Sequence, residues 1–355
     1  MTSTAPLAAT YTEARMAFLA AAEHAGATLA SYPHPGRGPD AEELAVDVAE
    51  LGPADADTVV MVVSATHGVE GFCGSALQRH WLQTHAADRP RQTRLAMVHA
   101  LNPYGFAWVR RVNEDNVDLN RNFIDWHQPP PASVDYDRLA DILVPTEWTE
   151  ESRARTTDEL LGVIAEWGFE RVQKGVSGGQ YSHPSGIFYG GSEPVWSHRW
   201  LRGWTSAALR RAKRVVIIDL HTGLGPWGHG ELISSASATS PGFARAAAMW
   251  SGVRSMTDGD SVSSQLAGDW LAIADDLAPQ AEVTAIALEY GTVDAISVVE
   301  SLRADAHLHA FGDPTGAGAP AVRAMVRAAF ADDDPAWIET AWPQFLVVID
   351  AALRA

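Results

Sequence analysis

Val59-Val60-Met61-Val62-Val63-Ser64-Ala65-Thr66-His67-Gly68-Val69-Glu70-Gly71 decides the architecture of this chain. Its first five residues are apolar without alternation, the pattern of a strand buried on both faces of a sheet. It then turns polar at once, with His67 and Glu70 set among glycines. Three other segments repeat the plan. Leu95 to Leu101 closes on Asn102-Pro103-Tyr104-Gly105, Val215 to Leu220 runs into His221-Thr222-Gly223, and Thr284 to Leu288 runs into Glu289-Tyr290-Gly291. Helical spacing of apolar residues is read over 10–25, 74–84, 200–212, 270–277, 293–306, 319–330 and 337–353. Short apolar strands alternating with helices predict an α/β fold: a mainly parallel or mixed, doubly wound sheet with helices on both faces. No internal repeat is found, and residues 1–355 read as a single domain. The stretch from Trp126 to Ser197, with Gln128-Pro129-Pro130-Pro131 at its start, a polar helix near 150–172 and a glycine-rich aromatic end, reads as an insertion at the sheet edge that caps the site.

Composition narrows the function classes. The 355 residues are 46% hydrophobic and 20% charged, enough apolar material for a full core. Twenty-six basic against 44 acidic residues give a formal charge of −18, which repels phosphate backbones and anionic lipid and excludes nucleic-acid and membrane-surface partners. No stretch approaches the roughly 18 apolar residues of a membrane helix. One cysteine, Cys73, rules out an internal disulfide framework and a cysteine zinc finger. Residues 1–10 lack the basic start and apolar core of a secretion signal. A cytoplasmic location is expected; oligomeric state is left open.

In a parallel sheet the polar strand ends share one edge, where open α/β folds place their ligand crevice. Two histidines and two glutamates meet there. His67 and Glu70, three residues apart, can bind one ion from a single turn, and His221 completes a set of three ligands with one open position, as in catalytic zinc sites. Two histidines and a carboxylate also suit other metals. Glu289 remains as a carboxylate suited to take a proton from water and return it to a leaving amine. Read singly, His221 is a hydrogen-bonded core histidine and Glu289 a solvated strand end; their joint placement favours the metal. The loop Asn113 to Phe123, with Arg110 and Arg111 just upstream, is too rich in hydrogen-bonding side chains for a strand or helix. Arginines beside such a site suit a substrate carboxylate and an oxyanion.

Other signals are discounted. Gly223-Leu224-Gly225-Pro226-Trp227-Gly228 fits a dinucleotide fingerprint, but Pro226 favours a loop leading to a strand, where that fingerprint needs a helix. Cys73 reads as a small buried residue. Trp196, Trp200 and Trp204 read as one packed helix face. His80, His85, His127, His198, His307 and His309 read as surface residues, and His99 as a core histidine.

His67-x-x-Glu70, Asn102-Pro103-x-Gly105, Asp118-Leu119-Asn120-Arg121-Asn122, His221 and Glu289, in this order, resemble the zinc carboxypeptidase family, above all its bacterial DUF2817 group, which is similar in turn to aspartoacylase and succinylglutamate desuccinylase deacylases. The resemblance covers roughly 59–293. It implies one zinc ion on His67, Glu70 and His221, Glu289 as general base, and Asp118 orienting the first histidine. It further implies Asn120 and Arg121 on the substrate's carboxylate, and Arg111 or Arg110 on the scissile carbonyl. Gly268-Asp269-Trp270 resembles a segment lining the side-chain pocket. A mobile tyrosine of the family has no counterpart in 258–266, and Tyr290 is no obvious substitute. The expected activity is hydrolysis of an amide next to a free carboxylate, on a short peptide or small molecule. The alternatives are an N-acyl amino acid deacylase and a non-catalytic binding protein that keeps the fold.

Overall fold

The computed structural model describes residues 6–262 and 266–355. The opening of the N-terminal stretch (1–5) and residues 263–265 of the stretch searched for a tyrosine lie outside the described residues. Among the described residues, eight strands form one sheet: β1 Thr28–Arg37, β2 Glu43–Leu51, β3 Thr58–Val63, β4 Thr93–His99, β5 Arg214–Trp227, β6 Gly230–Ser234, β7 Arg254–Ser255 and β8 Glu282–Gly291. Their order is β1-β2-β4-β3-β5-β8-β6-β7. The central four, β4-β3-β5-β8, are mutually parallel, whereas β2 and β6 join them antiparallel. The sheet is therefore mixed, with helices on both faces, as expected from the apolar runs.

The alternation of side chains along β3 shows why its valines need no polar positions. Val60 and Val62 enter one core with Leu77 and Trp81 of the helix Gly71–Thr84 and with Trp337, Phe345 and Ile349 of the helix Pro335–Leu353. Val59, Met61 and Val63 enter a second core with Leu201, Leu209, Trp270 and Leu277 on the other face. Trp196, Trp200 and Trp204 pack against this second core from one face of the helix Trp196–Ala208. Cys73 is buried in the first.

Residues 126–197 contain three helices, Val134–Leu143, Glu150–Trp167 and Phe169–Ser177. The single polar helix expected near 150–172 is two helices, broken at Gly168, whose φ of +84° stops the first. Tyr136, Leu139 and Val172 share a third core with Phe106, Leu302 and Phe330. The buried Arg303, on the helix Ala295–Phe311, donates to the carbonyls of Ile142 and Leu143 and to Thr156 Oγ1, tying these helices to the main body. No helix among the described residues is long and apolar enough to cross a membrane.

Two histidines read as surface residues are buried: His198 stacks on Phe123 and contacts Asn122, and His80 lies against Trp342. His99 is fully buried and bonds Ser75, a core histidine.

After β3 the chain must thread a narrow gap. Gly68 N–H donates to Arg111 O and Val69 N–H to Arg110 O, and a Cβ on Gly68 would collide with the Gly105 backbone. Backbone cannot yield as a flexible side chain does. Gly68→Ala is therefore expected to lower unfolding free energy by about 1–3 kcal/mol, read by chemical denaturation; unchanged stability would show that the gap opens freely.

Candidate active site

The parallel register carries the polar strand ends to one edge. Separated from β3 by four residues, Gly68–Glu70 forms a 3-10 turn that passes directly into the helix Gly71–Thr84. This sets Glu70 at a helix N-terminus, whose dipole favours negative charge. On β5, Asp219 and His221 alternate to the same face. His221 is the register partner of Glu289 on β8.

His67, Glu70 and His221 come together as a buried cluster with ligand atoms within 4.8 Å of one another. His67 Nδ1 lies 2.9 Å from Glu70 Oε1, His221 Nδ1 lies 2.8 Å from Glu70 Oε2, and the two Nδ1 atoms are 3.2 Å apart. Each ring's other nitrogen is held by a buried carboxylate: His67 Nε2 by Asp118 at 3.1 Å, His221 Nε2 by Asp219 at 2.7 Å. A neutral imidazole that donates from Nε2 presents a lone pair at Nδ1. Two such lone pairs and a carboxylate facing one another require a proton or a metal cation between them. Tetrahedral zinc with bonds of about 2.0–2.1 Å separates its ligands by about 3.3 Å, close to the spacing seen, so the donor set fits the ion.

The charges follow from these contacts. Burial works to raise Glu70, but His67 and His221 outweigh it and hold the carboxyl well below its usual range. Burial works to lower His221, yet Asp219 and Glu70 hold it well above the usual histidine value in the metal-free protein. Asp118 is likewise kept low against its burial by Arg111, Arg121 and His67. Glu289 behaves oppositely: burial, then the neighbouring Glu70 charge, push it up to about 7. Its Oε1 accepts from Leu224 N–H at 3.0 Å.

The structure separates the two neighbouring arginines. Arg111 donates from Nη1 to Glu70 at 3.1 Å and from Nε to Asp118 at 3.0 Å, and its side chain keeps 14% exposure. Phe188 and Phe330 flank its guanidinium, at 5.5 and 6.0 Å. Arg110 is buried elsewhere, paired with Asp305 at 2.9 Å and bonded to Asn116. Arg121 is also buried, donating to Ser177 O and Asn120 O beneath Phe188. Asn120 is buried, with no hydrogen bond to its Oδ1 among the described residues.

Three more residues complete the site: Asp219, given no part by the sequence, Trp270 from the segment likened to a side-chain pocket, and Phe188 from the stretch expected to cap the site. Asp219 accepts from Thr66 Oγ1 at 2.8 Å and from Trp270 Nε1 at 2.7 Å as well as contacting His221. The Asp-x-His spacing on a strand was the signal for Asp219, because residues two apart share a face. Trp270 is fully buried and points its indole N–H at Asp219. Phe188 belongs to the glycine-rich aromatic end of the 126–197 stretch, Gly186-Ile187-Phe188-Tyr189-Gly190-Gly191. Tyr290 is buried with its hydroxyl directed at Ala341 O, so it does not face the site.

With this geometry in place, comparison with known proteins gives the family. The family described as "Protein of unknown function (DUF2817)" matches residues 7–344. The chain belongs to the DUF2817 family. No protein with a curated description matches its sequence. Solved structures similar in fold include carboxypeptidase A from Helicoverpa armigera, at 14% identity and TM-score 0.44, covering 91% of this chain and 74% of that one. An aspartoacylase family protein from Mesorhizobium loti has 14% identity and TM-score 0.41, covering 80% and 67%. Bovine thrombin-activatable fibrinolysis inhibitor has 11% identity and TM-score 0.46, covering 90% and 96%.

The raised Glu289 carboxyl has a measurable consequence in this DUF2817 protein. Without metal it binds its proton more tightly folded than unfolded, so its stabilising contribution is full below 4.5 and is lost as pH rises through about 7. Glu289→Gln removes that dependence. The stability difference between variant and wild type is expected to shift by about 1–3 kcal/mol in the variant's favour from about pH 4 to pH 8, measured by denaturant titration with chelator present. Parallel curves would contradict the placement of this carboxyl.

Proposed function

We propose that this DUF2817 protein is a zinc-dependent hydrolase that cleaves an amide bond next to a free carboxylate. The observation that carries the reading is the paired orientation of His67 and His221. Both Nε2 atoms are tied to aspartates, so both Nδ1 atoms converge with Glu70 beside a half-buried Glu289. Zinc bound by His67, Glu70 and His221 supplies a Lewis acid that acidifies water and polarises a carbonyl.

The chain's own groups do the rest. Glu289, raised towards neutrality, accepts a proton from the attacking water and returns it to the leaving amine. Arg111, already oriented by Glu70 and Asp118, donates to the carbonyl oxygen as negative charge grows there. Asp118 and Asp219 fix the tautomer and tilt of the two imidazoles. Asn120 and Arg121 are assigned the substrate's carboxylate. Three of the five guanidinium N–H groups of Arg121 are bound to carbonyls, leaving two for such a ligand among the described residues.

A second reading, deacylation of an N-acyl amino acid, is favoured by one feature. Phe188 lies over both Arg111 and Arg121, and Tyr181 bonds the carbonyl of Arg121. This stretch narrows the approach to the carboxylate side and suits a small molecule better than a polypeptide.

Protein purified without added metal is expected to carry about one zinc per chain by elemental analysis, and His67→Ala to carry none. Asp219→Asn should keep the fold but weaken zinc affinity about 10–100-fold. Glu289→Gln should keep the metal and lose about 100-fold or more of amide turnover. Wild type that takes up no metal when zinc is offered would refute the reading.

A further inference from the structure

The sheet register extends the site one strand past Glu289. On β8, Glu289 pairs in parallel with His221 of β5 on one side and in antiparallel with Glu231 of β6 on the other. Directly opposed residues project to one face, with Cβ atoms about 4.5–5.5 Å apart in an antiparallel pair. The packing agrees: Leu232 and Leu288, the next register pair, both belong to the opposite face's core. His221, Glu289 and Glu231 therefore form a row across three strands. Glu231 is half-exposed, and its Oε2 accepts from Ser261 Oγ and Val262 N–H, each at 3.1 Å.

Two like charges facing each other across a strand pair are destabilising. Neither Glu231 nor Glu289 has an ion-pair partner among the described residues, and the basic residue at the β6–β7 edge, Arg254, is paired with Asp260. The site's own arginine, Arg111, stands on the far side of His221, bonded to Glu70 and Asp118. The row thus has a guanidinium donor, Arg111, on its β3 side and a carboxylate with no ion pair among the described residues, Glu231, on its β6 side.

We propose that Glu231 determines specificity by receiving a cationic group of the substrate, an ammonium or guanidinium, so that the substrates are amides of basic amino acids. This rests on the hydrolase reading for the direction in which the substrate lies. An amino acid's carboxylate faces the arginine side, the scissile amide lies at Glu289, and the charged side chain reaches β6. Glu231 forms an ion pair there in a partly desolvated position, where charge-assisted hydrogen bonds are strongest.

The test compares zinc-loaded wild type, Glu231→Gln and Glu231→Lys by calorimetric titration with lysine, norleucine and glutamate, and by turnover of their N-acetyl derivatives. Lysine and norleucine differ by one charged terminus at nearly equal length. Wild type is expected to prefer lysine over norleucine by about tenfold or more, Glu231→Gln to lose that preference, and Glu231→Lys to turn it towards glutamate. Equal or absent binding of lysine and norleucine by wild type, or a lysine preference that survives in Glu231→Gln, overturns the proposal. A lysine preference lost in Glu231→Gln, with no amide cleaved by any form, upholds Glu231 as the cation's partner and refutes the hydrolase reading alone.

Discussion

Buried negative charge is the constraint on which this structure depends. Asp118, Asp219, Glu70 and Glu289 bring four carboxylates to one sheet edge, and Arg111 and Arg121 supply two guanidiniums. With neutral imidazoles, that leaves two negative charges uncompensated away from water, a state that costs several kcal/mol per ion unless paired. The metal-free protein answers by keeping protons in the cluster: His221 is held charged by Asp219 and Glu70, and Glu289 keeps its own proton up to about 7. A divalent cation held by His67, Glu70 and His221 would supply the missing two charges at the point where the lone pairs already meet. Asp269, whose carboxyl burial pushes upward beside Asp219, adds to the same demand.

The fold spends its rigid core to hold this charge in place. Asp118 and Asp219 have no exposed surface, so the two imidazoles are steered from behind by groups that cannot relax into solvent. Asp219 is fixed in turn by Thr66 from the loop after β3 and by Trp270 from the second core, so ring orientation is set by packing on two elements far apart in sequence. Arg110 serves the same end differently. Its ion pair with Asp305 anchors one side of a dipeptide whose next residue, Arg111, turns to Glu70.

What the sequence makes legible follows from burial. β3, β4, β5 and β8 are the four parallel strands, covered on both faces, and nothing but continuous apolar runs can satisfy that position. The edge strand β1 and its antiparallel neighbour β2 escape the same reading. β1 carries Pro33, Pro35 and Gly36, which an edge tolerates because half its backbone groups face no partner strand. β2 hides Asp47 in its middle, neutralised by Arg15 from a helix thirty-two residues earlier, and no local pattern discloses such a partner. The site divides the same way. His67, Glu70, His221 and Glu289 are visible because each follows closely on a continuous apolar run. The choice between Arg110 and Arg111 is not, because it is made by Asp305, 195 residues away in sequence.

Strand spacing also fixes the scale of whatever binds here. Neighbouring strands lie about 4.7–4.9 Å apart, so the row from His221 through Glu289 to Glu231 spans roughly 10 Å, three charged or metal-ligating side chains in the width of one amino acid with its side chain extended. A polypeptide running across the same edge would have to pass the aromatic side chains that close it, Phe188 over the arginines and Phe330 beside Gly223. A compact zwitterion meets neither obstacle. In the proposed reading its cationic group meets Glu231, placed by register, and its carboxylate meets the arginines on the far side of His221. Glu289, the proposed general base, stands between them because β8 lies between β5 and β6. On that reading the topology of the sheet, more than any single loop, sets both where a bond would be cut and which molecule could be laid across it.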